Sequence, residues 1–214
     1  MTQIDNTLDD KIQRGLLAFL RISLIGGLFW FASQFDLEAF LLTSLALWLT
    51  RLPDWLERRF KVQFPIEFTL IIVAFMYFTI FLGNVNGAYE RYFWWDAALH
   101  ALSGIILGFV GFLALVAFLS VDQIKQRPKL FAFFAFMFAL AAGSIWEIFE
   151  FVMDELFDTG MQISLSDTMW DLIVDALGAL FVSALAYSYG KNGGINFVSR
   201  GIQSFLKRNP QIKQ

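Results

Sequence analysis

The sequence predicts an all-α, polytopic transmembrane bundle of about six spans, and three observations predict it. Hydrophobic side chains make up 57% of the 214 residues, with 26 phenylalanines and 7 tryptophans, far above the usage of a soluble domain. The apolar residues fall into separated blocks of about 15 to 25, the length a helix needs to cross about 30 Å of hydrocarbon. Period-two alternation is absent, which argues against a transmembrane β-barrel.

In chain order the predicted spans are residues 15–33, 36–52, 65–83, 96–120, 130–152 and 168–189. The polar, acidic start MTQIDNTLDDKIQR lacks the basic start and small-residue exit of a cleaved signal, so the first span is expected to be retained. The second span is the shortest, and Pro53 is expected to close it, because proline cannot continue the hydrogen-bond ladder. Pro65 suits the first turn of the third span, and Pro128 precedes the fifth. Residues 1–190 read as one transmembrane domain, with no internal repeat and no linker. Residues 191–214 read as a polar cytoplasmic tail, interfacial or mobile.

Basic residues set the expected orientation. Lys11 and Arg14 precede the first span; Arg51, Arg58, Arg59 and Lys61 lie between the second and third; Lys125, Arg127 and Lys129 lie between the fourth and fifth. Lys191, Arg200, Lys207, Arg208 and Lys213 follow the sixth, whereas Arg91 stands alone in the alternate loops. The positive-inside rule then predicts a multi-pass cell (inner) membrane protein with both termini cytoplasmic. Arg21, inside the first span, is expected to snorkel to the headgroups, and the Arg58, Arg59 and Lys61 run to meet anionic lipid. The formal charge of -3 gives no reason to expect nucleic acid as a partner. The absence of cysteine excludes disulfides and thiolate chemistry, so any metal must bind oxygen and imidazole.

Three spans carry acids where lipid would penalise them. The fourth opens Trp94-Trp95-Asp96 and reaches His100, the only histidine, four residues later on the same face. The fifth ends GSIWEIFEFVMDELF, whose Glu147, Glu150 and Asp154 recur at spacings of three and four as one stripe. The sixth begins SDTMWDLIVDALGA, with Asp167, Asp171 and Asp175 at successive spacings of four. The predicted topology brings all three stripes to the outer end of the bundle, with Asp175 on the order of 10 Å below the boundary. An aspartate at mid-membrane costs roughly 2.5–3.5 kcal/mol, so such residues must face each other, water, a proton or a cation.

Position alone can account for several of them. Asp96 and Asp167 stand at helix starts, where carboxylates cap free N–H groups. Glu150, Asp154, Glu155 and Asp158 can be wetted by the outer loop, and His100 can be a bundle histidine bonded to Asp96. Glu147, Asp171 and Asp175 have no such account. Gly104, Gly108, Gly111 and the pair Gly26 and Gly27 read as close helix contacts, and Trp94, Trp95, Trp146 and Trp170 as an interfacial belt. Ser103, near His100, reads as pointing away from it and is no candidate nucleophile.

On the residues Trp95-Asp96 with His100, Trp146-Glu147 with Glu150, and Asp167-Thr168 with Asp171, the chain resembles the YjdF-like family of bacterial integral membrane proteins. The stretch LPDWLERRF and Gln162 fit the same resemblance, which covers about Leu52 to Gly178, while Asn84 departs from the acidic residue the family has there. The resemblance implies a membrane bundle and no particular activity. A more distant similarity of polar pattern to VanZ-like proteins implies a cell-envelope setting.

The residues support a metal-dependent membrane enzyme as the leading expectation, with Zn, Mn, Fe or Mg held by His100, Glu147, Asp171 and Asp96. In that reading Glu150 and Asp175 serve catalysis, Asp96 also orients His100 through its second ring nitrogen, and Asp175 supports from below. A lipid-like substrate suits a site at that depth, and a homo-oligomer is compatible with it. The alternatives are a proton- or cation-coupled transporter, disfavoured by apolar cytoplasmic half-helices, and a structural or assembly protein, for which so many acids are unnecessary.

Overall fold

The computed structural model describes residues 8–119, 121–192 and 197–213. Among them every regular element is helical, as predicted, and the helices form two compact units, Met1–Phe93 and Trp94–Gln214. The start of the chain, residues 1–7, on which the reading of a retained first span partly rested, lies outside the described residues.

The first unit begins with α1 (Leu8–Ser33) and turns tightly into α2 (Leu37–Leu49). Phe35 takes a left-handed φ of 55° in this turn, and the Asp36 carboxylate accepts from the Ala39 N–H at 3.0 Å, capping α2. At 13 residues α2 extends only about 20 Å, too short for a conventional span. Among the described residues, five helices therefore have the length and apolarity to cross a membrane: Lys11–Ser33, Ile66–Val85, Trp95–Val116, Pro128–Phe157 and Leu165–Lys191.

The reason α2 stops early lies in Arg21. Its guanidinium does not reach out alone; it donates to the Thr50 carbonyl at 2.7 Å and to Asp54 Oδ2 at 3.3 Å, occupying the carbonyl end of α2. Pro53 then sits in the first turn of α3 (Leu52–Phe60) and opens that helix rather than closing α2. Next, α4 (Ile66–Met76), with Pro65 at its N-cap, continues as a π-helical segment, Tyr77–Val85. The wide turns are supported by side chains: Asn84 donates to the Thr79 carbonyl at 3.2 Å and Asn86 to the Phe81 carbonyl at 2.7 Å. A short α5 (Ala88–Arg91) follows.

The second unit contains α6 (Trp95–Phe118), α7 (Val121–Gln126), α8 (Pro128–Phe157), α9 (Leu165–Asn192) and α10 (Phe197–Arg208), then a 3-10 turn, Pro210–Lys213. Helices α6, α8 and α9 pack against one another through small residues, as helices in lipid must when no aqueous hydrophobic effect joins them. A Cβ on Gly104 would fall on the Asp175 carbonyl and one on Gly178 on the Ala101 carbonyl, so α6 and α9 meet backbone to backbone. At Gly111 an added Cβ would lie 2.9 Å from the Phe138 side chain of α8. The expected packing role thus holds at Gly104, Gly111 and Gly27, whereas Gly108 meets Val182 at an ordinary 3.5 Å and Gly26 has nothing within 4 Å.

Where the chain enters α9, the Asp167 N–H donates to Ser164 Oγ at 3.2 Å. Ser164, not Asp167, therefore caps the helix, and its replacement by alanine is expected to cost about 1 kcal/mol in thermal or denaturant unfolding. After α9 the tail is not merely polar. Ile202, Phe205 and Leu206 of α10 are buried while Arg200 and Lys207 are exposed, and Gly201 lets the helix seat on the Phe109 ring of α6. Asn209 is fully buried, donating to the Phe205 carbonyl at 2.7 Å to close α10.

Candidate metal centre

All three acidic stripes converge inside the second unit. From α6 come Asp96, His100 and Ser103; from α8, Gly143, Glu147 and Glu150; from α9, Asp171 and Asp175. Their order along each helix places Asp175 and Glu147 about 15 Å from the helix ends that flank the α8–α9 connection. His100 is 7% exposed, Glu147 and Asp171 4% each and Asp175 1%, a degree of burial that ionised carboxylates tolerate only with partners.

Asp175 is the best-partnered of them. Ser103 Oγ lies 2.5 Å from its Oδ1, and its Oδ2 lies 3.2 Å from His100 Nδ1. Room for this carboxylate exists because Gly143 of α8 has no side chain; a Cβ there would overlap Asp175 Oδ2. Asp175 thus engages Nδ1, and Nε2 points to the opposite side of the ring. Facing it are Asp96 Oδ1 at 3.7 Å and Glu147 Oε1 at 3.6 Å.

Nε2 thus stands between two carboxylates. Neither Glu147 oxygen has a hydrogen-bond partner, although the Thr168 hydroxyl lies nearby. The separations at Nε2 exceed hydrogen-bond length, yet they match a cation held between the groups: ligands about 2.1 Å from a tetrahedral ion stand on the order of 3.4 Å apart. Donor atoms of Asp96, His100 and Asp171 all lie within 4.8 Å of one another, completing an Asp-His-Asp group able to hold an ion. Asp96 is its solvent-facing member, with a side chain 35% exposed.

Asp175, and not Asp96, meets the second ring nitrogen of His100, while Asp96 lies beside Nε2. Replacing Asp175 with asparagine keeps the shape but allows the imidazole to flip; divalent-metal affinity is expected to fall about 10–100-fold with helical circular dichroism unchanged.

Other expected members stand apart. Glu150 is half-buried one turn beyond Glu147, and its Oε1 accepts from Trp146 Nε1 at 2.8 Å. Asp154 builds the connection to α9, accepting from the Met161 and Gln162 N–H groups at 2.8 Å each, with the Thr159 hydroxyl also on it. In the same connection Gln162 Nε2 donates to Thr168 Oγ1 at 2.9 Å. Trp94, Trp146 and Trp170 are exposed, as a belt requires.

Two members escaped the sequence reading. Ser103 was read as pointing away, but a residue three positions past His100 shares its face and reaches Asp175 instead. Gly143 stands four residues before Glu147 on the same stripe, and that spacing was the available signal.

Fold and site together define an all-helical integral membrane protein with a buried cluster of carboxylates and one histidine among its apolar helices. The chain belongs to the DUF2238 family of predicted membrane proteins, whose profile matches residues 16–192 and so contains the whole cluster. A protein of Thermotoga maritima, described as an uncharacterized protein, is 24% identical over 181 residues, covering 84% of this chain and 90% of its own length. No solved structure matches the chain.

Proposed function

We propose that this protein is a metal-dependent membrane enzyme acting on a lipid or envelope substrate. The observation that carries the reading is that Glu147, 4% exposed, and Asp96 both face His100 Nε2, at 3.6 and 3.7 Å, with Asp171 offering a further carboxylate to the same group. An anionic group so placed inside a membrane helix calls for a cation.

His100 Nε2, Asp96, Glu147 and Asp171 hold the ion, and the nitrogen and oxygen donors suit Zn, Mn, Fe or Mg. When bound, such an ion supplies Lewis-acid polarisation of a phosphoryl or carbonyl oxygen and eases deprotonation of water. Asp175 is a positioning residue, keeping the imidazole turned so that Nε2 faces the site. Glu150, nearer the helix end, takes the proton from water and returns it to the leaving group. Asp96 is the partly exposed edge through which substrate arrives. Trp146, Phe149 and Trp170, exposed on α8 and α9, suit a lipid-anchored molecule whose headgroup enters while its chains stay in the bilayer. By the distribution of lysine and arginine, this end faces away from the cytoplasm.

Below Asp175 the α6–α9 interface runs through Gly108, Ala179 and Val182, an apolar seam unlike a transport path. The test is hydrolysis of phospholipid and lipid-linked phosphate substrates by protein purified in detergent. Turnover removed by chelation, restored by one divalent ion and lost in Glu150→Gln supports the reading. Absence of turnover together with ion flux in proteoliposomes that is lost in Glu147→Gln overturns it in favour of transport.

A further inference from the structure

At the other end of the second unit, the start of α8 and the last turn of α9 border an open, shallow cavity of about 400 Å³. Arg127, Lys129 and Lys191 line it, with Gln126, Tyr187 and Leu130. Among the described residues, no acidic one is in its walls. The two helix ends are held together by Gly190, where a Cβ would lie 2.8 Å from Pro128 Cβ. Lys191 Nζ rests 5.8 Å above the Tyr187 ring, which fixes its direction without neutralising it. Among the described residues, none of these three cations pairs with a carboxylate.

Depth identifies the occupant. Lys129 precedes Glu147 by 18 positions on one continuous helix, a rise of about 27 Å. Glu147 itself stands about 15 Å in from the far end of α8, so Lys129 lies about 42 Å from that end, beyond the roughly 30 Å of hydrocarbon and at headgroup level on the side opposite the acidic cluster. The exposed side chain of Leu130 continues the wall toward the hydrocarbon. We propose that this cavity binds the phosphate headgroup of an anionic phospholipid in the leaflet at that end. Arg127, Lys129 and Lys191 supply positive charge for the phosphate, and Gln126 adds a polar group to the same wall. The site is independent of the chemistry assigned to the acidic cluster.

The experiment measures the preference of the purified full chain for spin-labelled phosphatidylglycerol over phosphatidylcholine in mixed vesicles of the two lipids. Wild type is expected to prefer phosphatidylglycerol. Combined Arg127→Gln, Lys129→Gln and Lys191→Gln should reduce that preference by more than tenfold, since each cation near an anionic headgroup is worth roughly fivefold. A charge-matched variant, Lys11→Gln, Arg14→Gln and Arg51→Gln, should retain it. So should the charge-preserving Arg127→Lys, Lys129→Arg and Lys191→Arg variant, which also reports on folding. No preference in wild type, or equal loss in the two glutamine variants, would overturn the proposal. Millimolar inorganic phosphate displacing the labelled lipid completely would also overturn it, by assigning the cavity to a soluble anion.

Discussion

Replacing His100 with alanine is expected to lower divalent-metal affinity by about 100-fold or more, the largest effect of any substitution in the protein. The imidazole is the only nitrogen donor within reach, because the chain has one histidine and no cysteine. Its loss also strands Asp175, which would keep only the Ser103 hydroxyl, and leaves Asp96, Glu147 and Asp171 facing one another without the group that separates them. Isothermal titration with Mn²⁺ or Zn²⁺ checks the affinity. Because four acids remain after the substitution, non-specific attraction of cations predicts little change, and that contrast separates a ligand set from a merely acidic surface.

A second large effect is expected at Gly104. The atom a Cβ would overlap is the Asp175 carbonyl oxygen, part of the α9 backbone, so no rotamer change can relieve it. Gly104→Ala must push α6 and α9 apart, at about 1–3 kcal/mol for overpacking, and the displacement carries His100 away from Asp175. Thermal unfolding in detergent should show the loss, with metal binding weakened in the same variant. Gly15→Ala in α1 is the matched control, since nothing lies within 4 Å of its Cβ position; there alanine should be neutral or stabilising by up to about 1 kcal/mol.

Much of this architecture was legible because lipid imposes few choices. Long apolar blocks can only be helices, and an acid every three or four residues on such a block can only be one face. The convergence of His100, Glu147, Asp171 and Asp175 followed from those two facts. Failures occurred where a tertiary contact decided the outcome. Apolarity alone extended α2 to residue 52, but Arg21, twenty-nine positions before Thr50, reaches the carbonyls that end the helix. Pro53 looked like a stop and is a start, since proline breaks the preceding ladder and opens the next helix by the same missing N–H. Which carboxylate meets which nitrogen of His100 was illegible, because Asp96 and Asp175 both fit the spacing and only the rotation of α9 against α6 chooses. The tail was read from its charges, while the burial of α10 depends on Phe109, far away in sequence.

The proposed metal centre rests most heavily on Glu147, and Glu147→Gln tests it with almost no change of shape. If the buried carboxylate is a ligand, elemental analysis of the purified wild type finds a divalent metal near one equivalent, and Glu147→Gln loses most of it with a lowered melting temperature. If the carboxylate serves no cation, wild type carries no metal and glutamine, being neutral, leaves stability equal or higher. That second result would contradict the account.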